Sequence, residues 1–352
     1  MRCSGRIVRK KRAWVSGAMV AVIAALPVAI AGIQSPSAGA VSRAKGKVVI
    51  GYSAYTLSNP FFLGVEQGLA KAAKAKGWTV NTTNANVGLT TQLDNVQTLI
   101  TEHVSAIVIT PLSETGLVPA VKDANKAGIP VFTLADVVDG GKIVSEVSVN
   151  QVEAAQLSTE YLVKQLEKRY GCACGNVVDI EGLTGVSAAT YRQEGFEKVI
   201  KKYPKIHVVA EANGGFAETP SYTVMKTILA AHSTIRAIFA ANDTEAGGVV
   251  EALKGAGRLY KIGNPKHIIL TSIDGDPPGI VNIRAGYQTA TYEEPVFAMG
   301  KDIINFIYDH LHGKRVPKEL VPRLQLITPS NIKSKAVKNF GGGIWATLVK
   351  SS

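Results

Sequence analysis

Two hydrophobic rhythms alternate along most of the chain. Short apolar runs recur at Val48–Tyr52, Ala106–Thr110, Val131–Leu134, Val177–Glu181, Val208–Ala212, Ala237–Ala241, Ile268–Ile273 and Tyr287–Tyr292. Runs of this length, closed by polar turn residues, predict strands buried on both faces. Between them, Thr91–His103, Leu117–Ala127, Ala154–Tyr170, Ser187–Tyr203, Tyr222–His232 and Glu245–Gly255 carry amphipathic, helix-like patterns. Each predicts a helix with a single buried stripe. The first strand–helix pair is the clearest. Val48, Val49 and Ile50 break into a polar turn holding Thr56, Ser58, Asn59 and Pro60; Phe62, Val65, Leu69 and Ala73 then form one helical stripe, which Gly77 stops.

Strands alternating with helices of this length predict an α/β fold of parallel sheets covered on both faces. Such sheets bind ligands just beyond the carboxyl ends of their strands. The polar turns fall at those ends: Thr110-Pro111, Ala135-Asp136, Glu181–Gly185, Asn242-Asp243 and Asp274–Pro278. Aromatic faces beside amides and hydroxyls, as in Asn59-Pro60-Phe61-Phe62, suit a small polyhydroxyl ligand, whose C–H faces stack while its hydroxyls need directed partners. The alternative for the two phenylalanines is plain core packing.

Composition adds a compartment. The first 12 residues carry Arg2, Arg6, Arg9, Lys10, Lys11 and Arg12 and no acid. An apolar run, Ala13–Ile33, and the small-residue sequence Ala38-Gly39-Ala40 follow. That order is the one of a secretory signal over residues 1–40, and an uncleaved membrane anchor is the alternative. Cys3 precedes the apolar run, so it cannot be a lipid-bearing cysteine. Six of the +12 net charges lie in this segment, which leaves +6 from residue 41 onward. The remaining basic residues are scattered except for Lys198–Lys205 and Lys333, Lys335 and Lys338, without the aromatic interleaving of a nucleic-acid surface. About 310 residues then remain, enough for two domains.

Assembled catalytic chemistry is not expected. The six histidines are dispersed, with no metal-ligand spacing, and no nucleophile elbow or phosphate loop occurs. No cofactor or metal is implied. Cys172 and Cys174 flank Ala173 in a turn. Outside the cytoplasm an oxidised pair is expected there, pinning the turn before the Val177 strand; two free thiols are the alternative.

From Lys47 to about Ile332 the chain resembles the ribose-type periplasmic binding proteins of ABC transporters. The match rests on Thr56–Phe62, Ile107–Pro111, Gly128–Val131 leading to Asp136, Gly182–Ser187 with Arg192, Gly195 and Phe196, Ala237–Asp243, Asp274–Pro278, Gly286–Thr291 and Glu293–Pro295. The resemblance implies a type I periplasmic binding protein fold: two Rossmann-like, doubly wound lobes joined by a hinge of three crossovers. Residues 46–150 with 294–322 would form one lobe, and 151–293 with 325–340 the other, leaving 341–352 as a tail. It implies ligand contacts at Asn59, Phe61, Phe62, Thr110, Asp136, Arg192, Phe216, Asn242, Asp274 and Glu293. Tyr55, Val149, Leu183 and Ile273 fall at matching contact positions with side chains of different character. Of the Asn242-Asp243 pair, Asn242 is read as a ligand contact and Asp243 as the cap of the following helix.

The implied function is an exported, extracytoplasmic solute-binding protein, expected as a monomer. It would capture a monosaccharide-like or polyol ligand by hinge closure and deliver it to ABC permease membrane subunits. A sensor partnering a membrane kinase, and less so an enzyme on the same scaffold, are the alternatives. The departures from the ribose pattern bear on the ligand. Ala135-Asp136-Val137 lacks the arginine of that pattern's Asp-Arg pair, Glu293 stands for a glutamine, and Val149 and Thr110 replace polar positions. Lost donors disfavour the original sugar. A different sugar, a polyol or an amine that Asp136 or Glu293 could meet is expected instead.

Overall fold

The structure, a computed structural model, describes residues 47–340. The N-terminal apolar run, its Ala-Gly-Ala sequence and the tail after Phe340 lie outside the described residues.

The chain opens with β1 (Val49–Ala54), α1 (Pro60–Ala75), β2 (Thr79–Asn84), α2 (Leu89–Thr101), β3 (Ala106–Thr110), α3 (Val118–Lys126), β4 (Val131–Ala135) and β5 (Ile143–Ser148). After α4 (Gln151–Tyr170) come β6 (Gly175–Glu181), α5 (Ser187–Ile200), β7 (Ile206–Asn213), α6 (Glu218–Ala231), β8 (Ile235–Ala240), α7 (Asp243–Gly255), β9 (Ile269–Asp274), α8 (Pro277–Ala285) and β10 (Ala290–Glu293). Then follow α9 (Val296–Leu311), β11 (Glu319–Leu320), β12 (Gln325–Ile327) and α10 (Lys335–Asn339).

These strands make two six-stranded sheets, ordered β11-β5-β4-β3-β1-β2 and β12-β10-β9-β8-β6-β7. Every pairing is parallel except β12 on β10, so the doubly wound α/β reading holds. The chain passes between the sheets after β5, after β10 and between β11 and β12, three crossings among the described residues. Each sheet with its helices is called a lobe below.

Burial explains which strands form. All five positions of β3 and of β4 are buried, as their apolar runs require. In the first lobe α1 and α9 meet at glycine: a Cβ on Gly300 would stand 2.5 Å from the Leu69 backbone nitrogen, and one on Gly68 2.6 Å from the Phe297 carbonyl. One detail differs from expectation. The Tyr287–Tyr292 run becomes strand only from Ala290, because Gly286 at φ +82° ends α8 and Tyr287 and Gln288 donate back to the Asn282 carbonyl. After β12, Ile332 and Val337 join a hydrophobic cluster that draws on both lobes, including Leu69 and Ile303 from one and Ile280 and Ile283 from the other. Cys172 and Cys174 form a disulfide in the turn between α4 and β6, as expected of an exported pair.

Candidate functional site

The carboxyl ends of both sheets face a shared, narrow cavity between the lobes. Its wall from the first lobe comes from the turn after β1, the start of α1 and the end of β4: Tyr55, Asn59, Phe61, Phe62, Ala135 and Asp136. The second lobe contributes Gln151 and Ala188 near the starts of α4 and α5, then Arg192, Phe216, Asn242 and Asp274.

Local structure fixes most of these side chains. Asn59 caps α1, its Oδ1 accepting from Phe61 N at 2.9 Å, and Pro60 follows at the first helical position, where its missing N–H costs nothing. Phe61 and Phe62 are thereby turned to the cavity edge, packed edge-to-face at 4.9 Å, with Tyr55 4.5 Å from Phe62. Across the cleft, Asn59 Nδ2 donates to the Phe216 carbonyl at 3.3 Å, and Tyr191 donates to Glu114 at 3.3 Å. These two hydrogen bonds run from one lobe to the other.

Three lining residues, Ala135 (φ +68°), Phe216 (φ +53°) and Asp274 (φ +101°), hold the left-handed backbone region that side chains avoid. Such conformations cost about 1–3 kcal/mol each and persist where the surroundings impose them. At Phe216 the constraint is visible. Glu245, fully buried, accepts from Phe216 N at 2.8 Å and from Asn242 N at 3.1 Å, while Asn242 Oδ1 accepts from Glu245 N at 2.9 Å. This capping box on α7 ties two cavity residues to one carboxylate.

The expected split between Asn242 and Asp243 is therefore corrected. Asn242 is the cap and also lines the void, where it hydrogen-bonds Asp274. Asp243 is no cap; it sits fully buried, accepting from Ser272, Gln288, Thr291 and the Asp276 N–H. Two further site residues fall outside the lining. Thr110 is buried inside the first lobe, its hydroxyl spent on Tyr52 and the Ser53 carbonyl. Glu293 packs against Gly275 and feels Asp243, and burial pushes its carboxyl up to about 8. Its neighbour Glu294, past the end of β10, reaches Arg192 instead. Val149 and Ile273 are core residues, and Leu183 lines an outer groove beside the cavity mouth.

Arg192 is no surface residue. Its Nε donates to Gln151 at 2.7 Å, Nη1 to the Ala241 carbonyl at 2.7 Å, and Nη2 to Glu294 at 2.8 Å, with Asp274 Oδ1 also 2.9 Å away. Burial opposes its charge, but Asp274 and Glu294 outweigh that and hold its pKa above the ordinary value. The guanidinium thus positions acids more than it offers free donors. Asp136 differs. No hydrogen bond reaches its carboxylate among the described residues, and burial pushes its carboxyl up to about 7, with Arg192 pulling down and Glu114 and Asp274 pushing further up. Gln151 and Glu294 carried no mark in sequence, since a polar residue at a helix start or strand end reads as solvated. Among the described residues no cluster of His, Cys, Asp and Glu could hold a metal, and no helix is long and apolar enough to cross a membrane.

A family model for the periplasmic binding protein domain matches residues 50–315. The ribose import binding protein RbsB of Bacillus subtilis (strain 168) is 31% identical over 81% of this chain and 88% of its own length. The D-allose-binding periplasmic protein of Escherichia coli (strain K12) is 27% identical over 77% and 88%. The crystal structure of an ABC transporter periplasmic solute-binding protein from Actinobacillus succinogenes 130z, with bound D-allose, superposes with a TM-score of 0.74 at 26% identity, covering 81% of this chain and 98% of that one. These relatives are binding components of transport systems, not enzymes. With the family model spanning most of the chain and a relative of 31% identity along 81% of it, the chain belongs to the periplasmic binding protein domain family.

Proposed function

We propose that this protein captures a monosaccharide-like or polyol ligand outside the cytoplasm and delivers it to the membrane subunits of an ABC permease. The observation that carries the proposal is the cavity itself: rings from the first lobe face polar groups from the second across one small void. Ring faces take the C–H side of a sugar, and Asp136, Asn242 and Asp274 take hydroxyls. The lobes 46–150 with 294–322 and 151–293 with 325–340 would be the moving bodies, hinged at the crossings. Ligand contacts drawn from both lobes favour the closed state over the open one, which is what a capture mechanism needs. The Asn59–Phe216 bond belongs to that closed arrangement.

The ligand differs from ribose on this reading, since no second cavity arginine stands beside Asp136 and the donors of Arg192 are engaged within the protein. A sensor role has one specific support: likeness to a fructose-binding periplasmic domain of a hybrid two-component system, with a TM-score of 0.73 at 25% identity.

Native mass spectrometry of the protein as purified, followed by thermal shift against sugars, polyols and amines, tests the proposal. A small molecule that copurifies or stabilises and is released unchanged supports it. Turnover of the bound molecule, or no stabilisation across the panel, overturns it. Saturation by ribose at micromolar concentration would sink the argument that ribose is rejected.

A further inference from the structure

Asp136 is 9% exposed, lines the cavity, and takes no hydrogen bond from any described residue. It is a buried acceptor the protein leaves open toward the ligand. The nearest cation cannot serve it, because each nitrogen of Arg192 is engaged by Gln151, the Ala241 carbonyl, or Glu294 and Asp274. Asp274 and Glu294 take up that guanidinium, and Asp136 stands near them without an ion-pair partner among the described residues, an excess of acid over base beside the cavity. The rings of Tyr55, Phe61 and Phe62 stand on the same side as Asp136, and ring faces attract cations. A neutral sugar would give Asp136 hydroxyl donors and leave the charge excess as it is. An ammonium group supplies donors and charge together, with its carbon skeleton against the rings.

We propose that the ligand carries a protonated amine, as an amino sugar or amino polyol does, seated on Asp136. The proposal rests on the capture of a sugar-like ligand argued above and narrows its chemical class. The raised pKa of Asp136 fits: a proton fills the place that an ammonium would take.

The test is isothermal titration of the full chain with matched pairs: D-glucosamine against D-glucose, D-galactosamine against D-galactose, and D-glucamine against D-sorbitol. At least one amine should bind about tenfold more tightly than its hydroxyl parent, the scale of one charge-assisted hydrogen bond. Asp136→Asn should bring that ratio close to one, and its melting curve reports whether it folds. Parents that bind as tightly as their amines, or a preference that survives in Asp136→Asn, overturn the proposal. The wild-type ratios decide even if the variant misfolds. Failure of both members of every pair to bind would instead remove the sugar-like reading on which the proposal rests, and the proposal with it.

Discussion

At the scale of single residues, the cavity depends on side chains that do not line it. Glu245 is the clearest. Its two oxygens accept from the N–H groups of Phe216 and Asn242, and Phe216 holds a left-handed backbone that needs such support. Burial pushes the Glu245 carboxyl well up, and those two hydrogen bonds work against that shift. Glu245→Gln keeps size but offers one accepting oxygen, so one buried N–H loses its partner. Ligand affinity should fall by about 1–3 kcal/mol while the fold survives, read by titration beside a thermal melt; unchanged affinity would show that Phe216 and Asn242 are held by other means. Asn242→Ala is a less clean probe, because it removes a helix cap together with a cavity side chain. Arg192 acts on stability instead. Arg192→Met leaves Asp274 and Glu294 buried beside no cation, and should cost about 3–5 kcal/mol in urea unfolding, as a buried pair broken on one side does. A loss below about 1 kcal/mol would mean the two acids are protonated and need no partner.

At the scale of elements, packing of α1 on α9 sets how closely the first lobe is built. A methyl at Gly300 would meet backbone atoms, Leu69 N at 2.5 Å and Val65 O at 2.6 Å, which cannot rotate away. Gly300→Ala should therefore part the helices and destabilise by about 1–3 kcal/mol or more, by the overpacking rule; a melting temperature within a degree of wild type would refute that account. The same scale shows what was legible in sequence. Strands buried throughout, such as β3 and β4, announced themselves as apolar runs. The edge strand β2 reads Thr-Val-Asn-Thr-Thr-Asn, half-buried along its length, and its pattern carries no period to detect. β11 and β12 are too short to show one. For the site, turn chemistry led to Asn59, Asn242 and Asp274, because caps and strand ends leave a local mark. Which of two adjacent residues faces the cavity is decided by the strand's last twist and by distant partners. That is why Asn242 takes the cap as well as the cavity while Asp243 turns into the core, and why Glu294, not Glu293, meets Arg192.

At the scale of the whole molecule, buried carboxyls accumulate at the carboxyl ends of the two sheets and where the chain crosses between lobes. Burial holds Asp136 at about 7 and Glu293 at about 8, and raises Asp243, Asp274, Asp276 and Glu294. Hydrogen bonds and the single charge of Arg192 offset this only in part. In the unfolded chain these groups titrate near 4. A folded value above the unfolded one means the native state binds protons more tightly. The stability it contributes is complete below about pH 4 and is lost as the pH rises through the folded values near 7 and 8. His267 and His310, whose pKa values burial lowers, work in the opposite direction, but they are two groups against several. Ligand-free protein should therefore melt at a higher temperature at about pH 6 than at about pH 8, each group inside its window adding about 1.4 kcal/mol per pH unit. Asp136→Asn should flatten part of that slope, since an amide does not titrate. A melting temperature that rises with pH across this range would mean that these carboxyls stay ionised in the folded protein, held by partners stronger than Arg192 alone supplies.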